Sequence, residues 1–228
     1  MGLGTVPLQD PALAIQEMRR CLCEIGLHGI QIGSHVNDWN LNDAPLQDFF
    51  AAAEDLQCPI MIHPWDMMGK TAMEKYWLPW LVGMPAEQSR AICSILLGGV
   101  LRRFPGLRLL FAHGGGSFPL TLGRIEHGYK MRPDLVAMDS PERGPREYLD
   151  QIYVDSCVHD AQALAYLVEL IGPDRIALGS DYPFPLGEQV PGAGIRNLEI
   201  DPKAQARMLA GTTLEWLGLD ADRFIDAT

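Results

Sequence analysis

Two histidines and one aspartate in this sequence each follow a short apolar run, and their side chains suit the binding of a metal ion. His63, His113 and Asp181 lie at or just beyond the ends of these runs. Imidazole nitrogen and carboxylate oxygen are ligands that borderline divalent metals accept, and catalytic zinc combines three such ligands with water. Each residue alone also fits a structural role at a strand end, but the repetition predicts a metal site with His63 and Asp181 as ligands. His113 fits two roles there, as a third ligand or as a general base acting on metal-bound water.

Three glycines, residues 114–116, directly follow His113, and two interpretations of them remain open. Glycine lets a substrate or another backbone segment come close, and successive amides can hold an anion. The sequence contains no Gly-x-x-x-x-Gly-Lys-Ser/Thr motif, so phosphate binding would rest on the glycines alone.

Other candidate residues lie on segments next to these three. Arg124 lies on the predicted helix after His113 and is either a solvated arginine or a clamp for a carboxylate. Asp155 is another strand-end carboxylate, with a structural or a direct role. The segment 64–84 carries Trp77 and two other tryptophans and is longer than the two to six residues or so of most strand-to-helix loops. We expect it to be a lid or an interface, with a short helix over the rim as the alternative.

Six apolar segments alternate with helical segments in this chain. The predicted strands are 2–7, 29–33, 60–63, 108–112, 152–155 and 176–179. The predicted helices are 11–25, 45–57, 85–104, 119–128, 161–171 and 202–216. Loops are expected at 34–43, 64–84, 129–147 and 182–194. Such alternation predicts a parallel sheet covered by helices.

An open doubly wound sheet and a closed barrel both fit this order of elements. The three candidate residues lie on the third, fourth and sixth strands, and a barrel brings such strand ends to one mouth, so we favour the barrel. A complete (β/α)₈ barrel has eight strands and typically about 250 residues, whereas this chain has 228 residues. We therefore expect a single partial TIM-barrel domain over 1–228 with about six of eight units, lacking the first two strands.

The composition is that of a globular protein, with 47% hydrophobic residues and a formal net charge of −11. The negative charge argues against non-specific nucleic-acid binding. No uncharged apolar run is long enough for a membrane span, and the N-terminus has no secretory signal pattern. Five cysteines without a Cys-x-x-Cys pair predict reduced thiols and a cytosolic protein.

Five stretches of the sequence resemble the 2-amino-3-carboxymuconate-6-semialdehyde decarboxylase family of the amidohydrolase superfamily. They are residues 29–39, 63–66, 76–87, 112–116 and 179–188. The His-Pro and Gly-Ser-Asp-Tyr-Pro motifs are shared with a wider group of decarboxylases and hydrolases. The stretch Tyr-Trp-Leu-Pro-Trp-Leu-Val-Gly-Met-Pro-Ala-Glu at 76–87 is far more specific.

The resemblance implies a distorted (β/α)₈ barrel, one zinc ion per subunit and non-oxidative decarboxylation. The implied substrate is a dicarboxylate semialdehyde, 2-amino-3-carboxymuconate 6-semialdehyde, which is converted to 2-aminomuconate semialdehyde in tryptophan–kynurenine catabolism and thereby diverted from quinolinate and NAD synthesis. By position, His63 and Asp181 match metal ligands and His113 matches the base. Trp77 matches an aromatic residue that lines the site. Arg124 matches an arginine that binds the substrate carboxylate of the neighbouring subunit in a homodimer.

The sequence departs from the family at the metal site. The family takes two further histidine ligands from a His-x-His motif on its first strand, and none of the six histidines here forms one. The family's second substrate-binding arginine, also N-terminal, has no counterpart either. We therefore expect an N-terminally truncated form with weak zinc binding and impaired activity. The alternatives are a non-catalytic isoform that regulates full-length subunits by heterodimerisation, and an aromatic-acid decarboxylase or hydrolase, against which the 76–87 stretch argues.

Overall fold

A six-stranded parallel sheet forms the centre of the fold, as predicted. The computed structural model describes residues 1–224, apart from the side chain of Lys70, so the last four residues of the predicted 1–228 domain lie outside the described residues. The strands of the chain are β1 (Gly4–Thr5), β2 (Ile30–Gly33), β3 (His35–Val36), β4 (Trp39–Asn40), β5 (Pro59–His63), β6 (Arg108–Phe111), β7 (Ile152–Asp155) and β8 (Ile176–Ala177). The sheet order is β1-β2-β5-β6-β7-β8, with β3 and β4 as a separate antiparallel pair.

Helices separate the strands among the described residues. They are α1 (Pro11–Arg19), α2 (Gln47–Asp55), α3 (Met84–Leu97), α4 (Val100–Arg103), α5 (Phe118–Met131), α6 (Pro133–Val136), α7 (Ala161–Ile171), α8 (Ala193–Arg196), α9 (Pro202–Ala206) and α10 (Thr212–Leu217). Their starts follow the sequence signals closely. Asp10 accepts the Leu13 amide before α1, and Asp160 accepts the Ala163 amide before α7, which satisfies backbone donors that a helix start leaves free.

Burial on both faces explains why the central strands read as unbroken apolar runs. Ile60 and Ile62 of β5 and Phe111 of β6 are fully buried under the helices. The alternate residues, Met61 and Leu110, belong to a second apolar cluster on the other face. The register pairs Gly33 with His63 and Ile62 with Phe111, so the ends of these strands lie side by side.

The sheet does not close into a complete barrel within residues 1–224. In this part of the chain β1 pairs only with β2 and β8 only with β7, which confirms the expectation of about six units. The inner face is covered at one end by α10, because Trp216 and Leu217 pack against Leu110 and Tyr153. The Trp216 indole also donates to the Arg108 carbonyl oxygen at 3.1 Å.

Several predicted elements differ from the observed ones. The predicted loop 34–43 contains the hairpin β3–β4, in which Asn37 adopts a φ of +50° in the two-residue turn. Asparagine tolerates this conformation, and Val36 is buried, so a polar segment still forms strands. The predicted strand 2–7 is only two residues long.

The helices also differ in length and continuity from the predictions. The predicted helix 85–104 divides into α3 and α4 at a glycine pair, and the predicted helices 11–25 and 202–216 each contain a π-helical turn. The predicted loop 129–147 contains the short helix α6, and the short helix α8 begins at the end of the predicted loop 182–194. Among the described residues, none of the helices has the length and apolar character needed to cross a membrane.

Candidate metal centre

The structure brings His63, His113 and Asp181 together at the mouth of the sheet. One ligand atom from each residue lies within 4.8 Å of the others. The His113 Nε2 and Asp181 Oδ2 atoms are 3.8 Å apart, and the two imidazole rings meet edge to face with centroids 4.9 Å apart. The three side chains are partly buried, so they face a sheltered space that remains reachable from solvent.

Each of these residues comes from a strand end, but the backbone differs between them. His63 is the last residue of β5. His113 and Asp181 lie beyond β6 and β8 and have φ angles of +55° and +52°. Non-glycine residues rarely adopt this left-handed conformation, and such strain concentrates at functional sites.

The donor set fits a divalent metal. Two imidazoles and one carboxylate are a common set for zinc and similar ions. Burial, and next the positive charge of His113 when protonated, lower the pKa of His63, although Asp181 opposes the shift. His63 therefore stays neutral at physiological pH, and the neutral imidazole is the form that binds a metal.

The glycine turn after His113 does not offer amides to an anion, so that interpretation is wrong. The Gly114 amide donates to Asp155 Oδ1, the Gly115 amide to the Ala112 carbonyl, and the Gly116 amide to the His113 carbonyl. The glycines are needed for close packing instead. A Cβ atom on Gly116, whose φ is +64°, would lie 2.4 Å from the Pro85 carbonyl oxygen.

The segment 64–84 closes over the site from one side. Trp77 and Trp80 lie 5.9 Å apart between ring centroids, and both line a cavity of about 310 Å³ together with His63 and Asp181. Trp77 thus shares this cavity with the metal candidates. The segment also contains the π-helical turn Pro79–Gly83, as the alternative of a short helix predicts, and its role as a lid stays a prediction. A second cavity of about 570 Å³ reaches from His113 and Asp181 towards α7.

Arg124 is not part of this cluster. It lies exposed on α5, in the part of α5 that lines neither cavity. Within residues 1–224 it forms neither an ion pair nor a side-chain hydrogen bond. The structure thus separates Arg124 from the site of its own chain, and its service to a neighbouring subunit stays a prediction.

Glu87 and Gln88 of α3 are buried polar residues that hold the segments around His63. The sequence analysis did not single them out. Glu87 has no exposed surface and forms an ion pair with Arg90 while accepting from Ser34 Oγ at 3.2 Å and from the Met68 amide at 3.2 Å. It therefore ties the end of β2 to the segment after His63. The Gln88 amide donates to the Ile62 carbonyl at 2.9 Å.

A sequence signal for this support does exist. Gln88 lies four residues before Ile92 on the face of α3 that packs into the core, where an apolar residue is expected. A polar residue on a core face requires a hydrogen-bond partner, and its partner here is the strand that carries His63.

Comparisons with known proteins agree with this geometry. The profile of the amidohydrolase family matches residues 1–219. The 2-amino-3-carboxymuconate-6-semialdehyde decarboxylase of Dictyostelium discoideum is 53% identical over 226 residues, which are 99% of this chain and 63% of that protein. The chain thus spans less than two thirds of that relative's length.

Solved structures show the same fold. The 5-carboxyvanillate decarboxylase LigW from Sphingomonas paucimobilis superposes with a TM-score of 0.84 at 26% identity, over 96% of this chain and 67% of that one. A 5-carboxyvanillate decarboxylase from Novosphingobium aromaticivorans, solved with manganese, has a TM-score of 0.83 at 22% identity and covers 96% of this chain and 64% of its own.

Proposed function

Because the chain belongs to the amidohydrolase family, we propose that it is the site-bearing part of a metal-dependent carboxy-lyase. The substrate in this proposal is 2-amino-3-carboxymuconate 6-semialdehyde, which would lose CO2 without oxidation and thereby be withdrawn from quinolinate and NAD synthesis in tryptophan catabolism. The observation that carries the proposal is the convergence of His63, His113 and Asp181 within 4.8 Å. The 53% identity to the Dictyostelium decarboxylase supports the choice of substrate.

In this proposal His63 and Asp181 hold the metal, for which zinc is our first choice. When bound, a divalent ion supplies Lewis acidity and brings the pKa of water to about 7. His113 then acts as the base, because its Nε2 lies 3.8 Å from Asp181 Oδ2 and both residues line the cavity of about 570 Å³.

His113 moves the proton in the reaction that we propose. It takes a proton from water, the hydroxide adds to the conjugated chain of the substrate, and the proton passes to the carbon that bears the carboxylate. The bond to that carboxylate breaks, CO2 leaves, and its electron pair restores the double bond as hydroxide departs. Trp77 and Trp80 shield this step from bulk water on one side.

The remaining parts of the proposal concern assembly and location. Arg124 is exposed on α5, which leaves its guanidinium free to bind a substrate carboxylate in the neighbouring subunit of a homodimer. All five cysteines are free, which suits the reducing cytosol.

A fusion experiment tests the proposal. The chain is joined to the N-terminal segment of the Dictyostelium relative, in which the family resemblance leads us to expect a His-x-His strand. Zinc content and CO2 release are measured for the fusion and for the chain alone. We expect one zinc per fusion subunit and rapid CO2 release, with much less of both from the chain alone, since its sequence contains no His-x-His.

The proposed substrate and the need for further metal ligands would be contradicted by different outcomes. A fusion that holds zinc but releases no CO2 from this substrate, while it decarboxylates γ-resorcylate, would show that the substrate is wrong. Stoichiometric zinc and full turnover in the chain alone would show that the chain needs no further ligands.

A further inference from the structure

Strand β7 contributes no atom to the cluster of His63, His113 and Asp181, yet it lies between the two strands that lead to His113 and Asp181. The sheet order places β7 between β6 and β8. Two side chains at its C-terminal end, Asp155 and Ser156, are 5% and 2% exposed. Buried polar groups at a strand end must have hydrogen-bond partners, and their partners identify what they do.

Asp155 holds the turn that carries His113. Its Oδ1 atom accepts the Gly114 amide at 2.9 Å and the Cys157 amide at 3.0 Å. Gly114 directly follows His113, whose φ is +55°. The carboxylate therefore fixes the peptide plane between these two residues, and through it the direction in which the imidazole leaves the backbone.

Ser156 holds the segment after β8, which carries Asp181. Its Oγ accepts the Gly179 amide at 3.2 Å, and its own amide donates to the Ala177 carbonyl at 2.9 Å. Gly179 also packs directly on Asp155, because a Cβ atom at position 179 would lie 2.6 Å from the Asp155 Cβ. The close approach of these two segments allows only glycine at position 179.

We propose that Asp155 and Ser156 are positioning residues, a brace that sets the 3.8 Å separation between His113 Nε2 and Asp181 Oδ2. The brace acts through backbone amides on both sides, so neither residue needs to touch metal or substrate. Its importance for chemistry rests on the proposed metal centre. The direct site role considered for Asp155 is replaced by this indirect one.

The brace is strong because it is buried. A carboxylate away from water is stable only when hydrogen bonds compensate for its desolvation, and charge-assisted hydrogen bonds are about twice as strong as neutral ones. Residues that orient metal ligands typically change metal affinity by about 10–100-fold when they are lost.

Hydrogen exchange in the metal-free protein tests the brace directly. Asp155→Ala is compared with Asp155→Asn, which keeps the accepting Oδ1 atom, and with Ser156→Ala. We expect amide exchange over 112–117 to become about tenfold faster in Asp155→Ala and to return towards the wild-type rate in Asp155→Asn. Ser156→Ala should instead accelerate exchange over 178–182.

Asp10→Ala is the control, because Asp10 also accepts a backbone amide with its side chain, that of Leu13 at the start of α1, and no hydrogen bond among residues 1–224 joins it to 112–117 or 178–182. It should leave both segments unchanged. Wild-type exchange over 112–117 in Asp155→Ala would overturn the proposal, and so would equal acceleration in Asp10→Ala. If Asp155→Ala does not fold, the exchange rates of Asp155→Asn and Ser156→Ala test the brace in its place. Unchanged exchange over 178–182 in folded Ser156→Ala would then overturn the proposal.

A Co2+ titration distinguishes a failure of the brace from a failure of the proposed metal centre. Visible Co2+ absorption should appear in the wild type and in Asp155→Ala, because His113 is the proposed base and not a ligand. The Co2+ affinity should be about 10–100-fold lower in Ser156→Ala, which loses the hydroxyl that holds the segment of the ligand Asp181. If the wild type gives no Co2+ signal, the proposed metal centre fails, while the exchange data still decide on the brace. Equal Co2+ affinity in wild type and Ser156→Ala would overturn the brace.

Discussion

At the scale of the residue, the two histidines of the site have different surroundings, and we propose different tasks for them. His63 ends a buried strand, and its lowered pKa results from burial first and from the nearby His113 second. His113 has a left-handed backbone conformation, and the amides of the three glycines after it are all engaged within the protein. In our proposal the neutral His63 imidazole binds the metal, whereas the His113 imidazole is held by its backbone in the position of a base.

His113→Ala should keep the metal, because His63 and Asp181 are the proposed ligands. His63→Ala and Asp181→Ala should each lower zinc affinity by more than about tenfold, since even changes beside a ligand lower it 10–100-fold. His127→Ala, exposed on α5, is the control. Zinc affinity is measured by competition with a chromophoric chelator. Loss of zinc from His113→Ala would make His113 a ligand instead.

The buried thiols should resist alkylation in the folded protein. Burial raises the pKa of Cys58 and Cys157 to about 12 and that of Cys93 to about 11, so the reactive thiolate is scarce near pH 8. Iodoacetamide at pH 8 should label exposed Cys23 first. Cys58, Cys93 and Cys157 should be labelled only in urea, as measured by mass spectrometry. Labelling of Cys157 as fast as Cys23 would contradict this.

The same shifts predict how stability depends on alkaline pH. Since the folded-state pKa values lie above the ordinary value of 9.0, the contribution of these thiols to stability is complete below pH 9. It is lost as the pH rises from 9 towards 12, because the unfolded thiols ionise first. The free energy of unfolding should therefore fall over this range.

At the scale of the element, the turn after β6 and helix α3 depend on each other. The turn 114–116 fits against Pro85 only without side chains, and α3 in turn holds β5 through Gln88 and the segment after β5 through Glu87. The site is therefore built by contacts between elements, and each of its strand ends is held by a neighbour.

Gly116→Ala and Gly123→Ala should change stability in opposite directions. A Cβ atom at 116 would collide with the Pro85 carbonyl at a φ of +64°, whereas one at 123, within α5, meets nothing within 4 Å. We expect Gly116→Ala to lower the free energy of unfolding by more than about 1 kcal/mol and Gly123→Ala to raise it by up to about 1 kcal/mol. Urea denaturation followed by circular dichroism measures both, and a destabilised Gly123→Ala would count against the placement of α5.

At the scale of the whole molecule, helix α10 covers one end of the inner face of an incomplete barrel sheet. Trp216 is 4% exposed and covers Leu110 and Tyr153 on the inner face. The opposite end carries the site. The edge strands β1 and β8 each have only one neighbouring strand among residues 1–224. Unpaired strand edges favour association with other chains.

Trp216→Ala should destabilise the protein by about 3–5 kcal/mol, because it opens a cavity against the inner face of the sheet. Trp65→Ala is the control. Trp65 is 61% exposed, so its removal should change the free energy of unfolding by less than about 1 kcal/mol. Thermal and urea unfolding give both values. Equal effects of the two substitutions would mean that Trp216 of α10 does not pack against the inner face of the sheet.

Much of this organisation could be predicted from the sequence, for reasons that particular residues make clear. Parallel strands buried on both faces leave apolar runs, so His63 and His113 were visible as the polar residues that end them. Asp155 and Ser156 could not be assigned, because their partners are backbone amides 41 and 23 residues away in the chain. The hairpin β3–β4 was missed because its composition is polar. The role of Arg124 depends on a neighbouring subunit and stays a prediction.

The central claim is that His63, His113 and Asp181 form one metal centre. An anomalous difference map from crystals of this chain soaked in Co2+, recorded at the cobalt absorption edge, tests it most directly. We predict a peak in contact with the His63 imidazole and the Asp181 carboxylate, with His113 next to it. A peak elsewhere on the protein, or none at millimolar Co2+, would contradict the claim.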